Sequence, residues 1–238
     1  MEQFAKYDNI FKQPDWPIRM RPIWGKYFFE TNTTEEDRAI ELMWVKHVIK
    51  LLREDRLYIA DSGENDDSLR KPITRIIVHH THSSAREYDL SNSAYLEYVN
   101  ALQLIRLYSY YYSKPDFDEY GKPIYSGHYY QGKQTFICYH WMIFEDGTAE
   151  HINKDESLVW HAAGANNDSI SICLVGDFSD GSRPSKVQLE RGRNLIQQYN
   201  NKYGELSIFG HGEVTPGRDC PGKSFLDEGG WKEELTMD

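Results

Sequence analysis

Three histidines crowd the end of RIIVHHTH (75–82), and His211 and Cys220 stand on either side of a Pro-Gly turn in IFGHGEVTPGRDCPG (208–222). Imidazole nitrogens with a thiolate make a soft donor set that suits zinc, and three protein ligands with a fourth position left open is the arrangement of catalytic zinc. In an extended strand alternate side chains share a face, so His79 points opposite to His80 and His82. Two ligand sets follow: His80 with His82, or His79 with partners from elsewhere in the chain. The turn between His211 and Cys220 lets the chain fold back, which would bring both of those side chains to one ion. The other two cysteines, Cys138 and Cys173, sit in apolar strand-like runs and read as small buried residues. Three widely spaced cysteines do not make a disulfide framework.

Elements of both periods are needed to hold these groups. ITRIIVHHTH is a short β-branched run that reads as a buried strand with a polar end. FICYHWMIFEDGTAEHI carries two β-rich runs around Asp146-Gly147, a hairpin signal, and SISICLVGDF reads as a further buried strand. PSKVQLERGRNLIQQYNNKYG reads as a helix, with Ser185 and Gln188 in capping-box spacing and Gly204 near its end. TEEDRAIELMWVKHVIKLLRE, from Thr34, has acids in its first turn, apolar residues at helical spacing and basic residues toward its end. Strands alternating with helices predict an α/β fold, a mixed central sheet flanked by helices, with a partly helical N-terminal extension. The acidic DSGENDDS (61–68) marks a boundary, giving an extension over 1–70 and a main domain over 71–238. Residues 1–32 are aromatic and proline-punctuated without clear periodicity. Residues 85–134 hold a helical, tyrosine-rich stretch and a long loop, and the tyrosines between Tyr88 and Tyr130 are expected to serve packing or solubility before sugar stacking.

The 238 residues suffice to bury a real core, and 39% apolar with 14% aromatic content describes a globular chain. A net charge of −10 argues against a nucleic-acid duplex or an anionic membrane as main partner. No apolar run is long enough to span a membrane. The start, MEQFAKYDNIFKQPDWPIRM, lacks the basic end and apolar core of a secretory signal. The expectation is cytoplasmic synthesis without a signal peptide, with any delivery to a cell wall by a separate route.

Four ordered motifs, IIVHHT, CYHWMIFEDGT, WHAAGANNDSISICLVGDF and GHGEVTPGRDCPGKSF, make the chain from about Ile73 to Leu235 resemble the zinc-dependent N-acetylmuramoyl-L-alanine amidases, the group that includes phage lysozyme-type amidases and peptidoglycan recognition proteins. The first 70 or so residues lie outside the resemblance, and 85–134 is longer than the usual segment between the first two motifs, an enlarged insertion. The resemblance implies Zn2+ as cofactor and His79, His211 and Cys220 as its ligands, leaving His80 and His82 to packing or hydrogen bonding. It places Tyr139 beside the zinc water. A phenol with a pKa near 10 is a poor base at neutral pH, so Tyr139 is expected to orient the water or the substrate carbonyl. Arg218 stands where many active members carry lysine; it keeps the charge that would oppose an oxyanion, on a planar guanidinium that is not an equivalent donor. His161 and Asn166 fall at positions that line the substrate groove in the family.

The implied reaction is zinc-dependent hydrolysis of the amide joining N-acetylmuramic acid to L-alanine, in peptidoglycan or soluble muropeptides. The competing expectation is a protein of the same fold that binds peptidoglycan fragments without cutting them. Non-catalytic relatives typically lose the cysteine ligand, and Cys220 is present. A more distant alternative gives the N-terminal extension a protein partner.

Overall fold

A computed structural model describes residues 2–30 and 34–236. The chain divides into two compact units. One comprises the chain up to Asn65 with Ser93–His128 and Gly132–Ile137; the other comprises Asp66–Asn92, Tyr129–Gln131 and the chain from Cys138.

The first unit is helical. Helices α1 (Trp16–Trp24), α2 (Glu35–Arg53) and α3 (Asn92–Gln103) dominate it. α2 begins where its sequence says: the Thr34 side chain accepts from Asp37 N, and the Asp37 carboxylate accepts from Thr34 N. This reciprocal cap is worth about 1 kcal/mol. The proline-punctuated N-terminal text shows no periodicity yet forms α1, with Pro17 tolerated in its first turn and Pro22 inside it. Burial explains this: Phe11, Trp16, Met20 and Trp24 are fully enclosed, and Trp24 meets Trp16 and Trp44 edge to face. Packing of this kind overrides weak local signals. The tyrosines of the helical stretch are largely core as expected, with Tyr95, Tyr98, Tyr108 and Tyr112 all buried.

The second unit is the mixed α/β domain. Five strands, β1 (Arg75–His80), β2 (Trp141–Ile143), β3 (Ala149–His151), β4 (Ser169–Leu174) and β5 (Ser207–Gly210), form one sheet in the order β3-β2-β4-β1-β5. β1 runs parallel to β4 and β5, β2 runs parallel to β4, and β3 closes the predicted hairpin antiparallel to β2. Ile76, Val78, Ile170, Ile172 and Leu174 turn one face of the sheet toward α4 (Lys186–Tyr203) and α5 (Trp231–Thr236), packing on Leu189, Leu195, Ile196, Trp231 and Leu235. Gln188 completes the predicted cap with Ser185 and donates to the carbonyls of Ile143 and Val175, so one side chain both starts α4 and pins it to the sheet. The opposite face carries Ile77 against Ala162 and Ala165. Among the described residues no helix is long and apolar enough to cross a membrane.

Asp155 anchors the far end of α4. Its carboxylate accepts from Tyr199 Oη at 2.6 Å, Lys202 Nζ at 2.6 Å and Tyr203 Oη at 3.1 Å. Burial alone would raise its pKa, but donors from His151, Lys202 and the two tyrosines outweigh it and hold the group well below the usual carboxylate range. A depressed folded-state pKa adds stability above the unfolded value near 4, and that stability is lost as pH falls below it. Asp155→Asn is expected to cost about 2 kcal/mol near pH 7. The difference from wild type should shrink as urea titrations are moved below pH 4, and a pH-independent difference would refute this account.

Candidate active site

The candidate residues gather at the carboxyl end of β1, the usual place for a site on a parallel sheet. β1 lies between β4 and β5, and its residues from Ile76 to His80 are all buried. Alternation puts His79 on the face of Ile77 and His80 on the face of Ile76 and Val78. β5 stops opposite Val78, at Gly210, and the chain makes one helical turn from His211 to Val214. It then returns so that Cys220 fills the position beside the strand end: His80 N donates to Cys220 Sγ at 3.4 Å. The return is closed by Gly212 N donating to Cys220 O at 2.7 Å.

Both ligand sets left open by strand alternation assemble here. The donor atoms of His79, His211 and Cys220 all lie within 4.8 Å of one another, and so do those of His80, His82 and Cys220. The hydrogen bonds behind the two neighbouring histidines separate the sets. His79 Nε2 meets His161 Nδ1 at 3.0 Å, while His79 Nδ1 faces Cys220 Sγ at 3.7 Å. His80 Nδ1 instead accepts from Phe178 N at 3.0 Å. A neutral imidazole carries one proton, so a Nδ1 that accepts a backbone N–H leaves the proton on Nε2. Among the described residues His80 Nε2 is buried without a hydrogen-bond partner, and with a proton on it there is no lone pair for a cation. His82 lies beyond the strand with φ of 56° and is exposed, its ring 3.8 Å from that of His80.

His211 is half-buried with its ring 4.7 Å from that of His79. Burial, and then the Arg218 charge, lower its pKa to about 4. Burial pushes His79 well below its ordinary range too, so both imidazoles are neutral at pH 7. Burial drives the Cys220 thiol up to about 12 despite the His80 N–H, and only a nearby cation would make it a thiolate at neutral pH. For zinc bonds of ordinary length and tetrahedral angles, a nitrogen and a sulfur ligand stand about 3.6 Å apart. The 3.7 Å between His79 Nδ1 and Cys220 Sγ matches that spacing, and the His211 donor lies within 4.8 Å of both.

Tyr139 is partly buried, its ring 5.1 Å from that of His79. Burial raises its pKa well above 10, with the neighbouring cysteines adding to the effect, so the phenol is a donor at neutral pH. Arg218 is exposed on the returning turn, near enough for its charge to act on His211. Asn166 is half-buried, and its Oδ1 accepts from Ala162 N at 2.7 Å, which closes the loop after Trp160. His161, expected along a groove, is 6% exposed and bonded to His79. A residue absent from the sequence reading joins it: Ser169 Oγ lies 3.0 Å from His161 Nε2. The signal was present in SISICL, where Ser169, Ser171 and Cys173 alternate with Ile170, Ile172 and Leu174 inside a strand that is buried throughout. A small polar stripe in such a strand must have polar partners to satisfy.

The fold and this cluster define a class: a mixed-sheet domain with histidines and a cysteine converging at the end of its central parallel strand. Residues 69–223 match the sequence profile of the family described as N-acetylmuramoyl-L-alanine amidase. The chain is 33% identical over 105 residues to the endolysin of Escherichia phage T7, and 30% identical over 105 residues to that of Klebsiella phage KP32. Each match covers 42% of this chain and 68% of the endolysin. Among solved structures, the N-acetylmuramoyl-L-alanine amidase LysC from Clostridium intestinale URNW superimposes with a TM-score of 0.49 at 19% identity, over 75% of this chain and 90% of that one. The chain belongs to the N-acetylmuramoyl-L-alanine amidase family. It is accordingly an enzyme, a hydrolase acting on an amide bond.

The turn that carries His211 and Cys220 depends on Gly212. A Cβ at that position would collide with Arg218 O and lie 3.3 Å from Cys220 O, both backbone atoms that cannot swing aside. Gly212→Ala is expected to lower stability by about 1–3 kcal/mol and to open Cys220 to a thiol reagent. An unchanged urea midpoint together with unchanged thiol reactivity would show that the turn does not need this close approach.

Proposed function

We propose that the chain hydrolyses the amide between N-acetylmuramic acid and L-alanine in peptidoglycan or muropeptides, with Zn2+ held by His79, His211 and Cys220. The observation that carries this reading is the pairing of His79 Nδ1 with Cys220 Sγ at 3.7 Å while His79 Nε2 is occupied from the other side. When bound, zinc supplies a Lewis acid and brings the pKa of a water toward neutrality.

The remaining roles fall to the chain's own side chains. Tyr139, a phenol that keeps its proton, orients the water or the lactyl carbonyl by donating to it. Arg218, on the rim, opposes the negative charge that grows on that carbonyl oxygen. The loop bearing His161 and Asn166 forms a wall of the substrate groove, and Asn166 keeps its shape by accepting from Ala162 N. An oxygen from water bonds to the lactyl carbonyl carbon as its bond to nitrogen breaks, leaving a carboxylate on the lactyl group, while protons from the water go to the amine of L-alanine. Cys220 acts as a ligand and not as a nucleophile, consistent with a thiol pushed to about 12 when no cation is near.

Zinc-loaded protein incubated with soluble muropeptides, and separately with intact sacculi, is expected to release free stem peptide from at least one of them. No release from either, with zinc confirmed bound, would sink the amidase reading and leave a fragment-binding protein. The ligand set has its own test. His79→Ala and Cys220→Ala should purify with little zinc, whereas His80→Ala should retain it. Retention by His79→Ala together with loss in His80→Ala would hand the site to the other set.

A further inference from the structure

We infer that Ser169 is a positioning residue for the metal site: acting through His161, it fixes the tautomer of His79 that leaves Nδ1 with its lone pair. The inference rests on the reading of His79 as a ligand. Ser169 Oγ has one proton to give and two close neighbours, Ala165 O at 2.5 Å and His161 Nε2 at 3.0 Å. A carbonyl oxygen can only accept, and at that distance a bond without a proton would be repulsive, so the hydroxyl proton goes to Ala165 O. The hydroxyl oxygen then accepts, and His161 Nε2 must be the donor. With its one proton there, His161 Nδ1 accepts from His79 Nε2 at 3.0 Å. The proton of His79 is thereby committed to Nε2, and Nδ1 faces Cys220 Sγ bare.

Burial makes this chain of choices binding. Ser169 is 0% exposed, His79 1% and His161 6%, so no bulk water offers an alternative partner to any of the three. The chain is also directional, since it begins at a backbone carbonyl whose role cannot be exchanged. His80 supplies the contrast: its anchor is the Phe178 N–H, a donor, and that sets the proton on Nε2. Two consecutive histidines are thus held ready for different work by the polarity of the backbone group behind each. Removing the Ser169 hydroxyl strands the His161 Nε2 proton against an apolar surface. His161 then gains by moving its proton to Nδ1, donating to His79 Nε2 and forcing the His79 proton onto Nδ1, where a cation must displace it.

Thr and Val have nearly the same shape and differ in the hydroxyl, so Ser169→Thr and Ser169→Val form the test pair. In the 238-residue chain, Zn2+ affinity is measured by competition with a chromophoric chelator, alongside thermal melts of the metal-free variants. The Val variant is expected to bind zinc about 10–100-fold more weakly than the Thr variant, with both variants folded and melting cooperatively. Equal affinity of the two variants, with wild type binding zinc, would overturn the inference. Long-range proton–nitrogen correlation spectra of metal-free wild type give a second readout that needs neither a variant nor zinc. Nε2–H tautomers at both His79 and His161 are expected, and a Nδ1–H tautomer at His79 would overturn the relay. Absence of zinc binding by wild type would count against the metal reading, and the spectra alone would then decide the relay.

Discussion

β1 is buried on both faces and hydrogen-bonded along both edges, and the rest of the second unit is arranged around that confinement. Because side chains alternate, His79 and His80 leave the same strand end in opposite directions, each 1% exposed and so shielded from bulk solvent. Neither can relax by turning toward solvent, so each takes its protonation and tautomer from fixed partners. The position vacated by β5 after Gly210 is taken by Cys220, which brings a thiol within reach of both histidine faces. Two three-residue donor sets at one strand end are a consequence of this crowding, and proximity alone does not choose between them.

What distinguishes the sets is the polarity of the groups behind them. A backbone N–H behind His80 and a chain ending on a backbone carbonyl behind His79 commit the two rings differently. Burial also keeps the cluster nearly uncharged in the absence of an ion: His79 and His211 neutral, Tyr139 and Cys220 protonated. An arrangement of lone pairs with no countercharge of its own suits a cation, because the desolvation of the donors has already occurred on folding. The face of β4 toward this cluster is correspondingly built from Ser169, Ser171 and Cys173, small side chains that leave room and offer polar atoms, while its other face supplies the aliphatic core under α4.

The N-terminal text and the tyrosine-rich segment show how weak local signals can still yield order. Residues up to Asn65 and Ser93–His128 share one helical unit, although they are separated in sequence by the strand that carries His79. In the proline-punctuated N-terminal text the periodicity is blurred by aromatics that are buried from several sides at once. Trp24, for instance, touches Phe11, Trp16, Phe28 and Trp44. Amphipathic patterning is a signal of helices with one wet face, and it fades where enclosure is nearly complete.

The sequence by itself determined the elements of the second unit. The β-branched run before His79, the turn at Asp146-Gly147, the Ser185–Gln188 cap and the alternation in SISICL depend on interactions within a few residues, which spacing reports directly. It also put His79 on a different face from His80, since that follows from strand geometry alone. Tertiary structure decided the rest. That Cys220 would stand beside both histidines, that Phe178 N would cap His80, and that His161 and Ser169 would stand in a line behind His79 are contacts across 8 to 141 residues of chain. They depend on which loop fills which space at the end of a parallel sheet, and no local periodicity encodes that. The choice of proton position on each imidazole lies at this level too, because it is set by whichever group the fold places behind the ring.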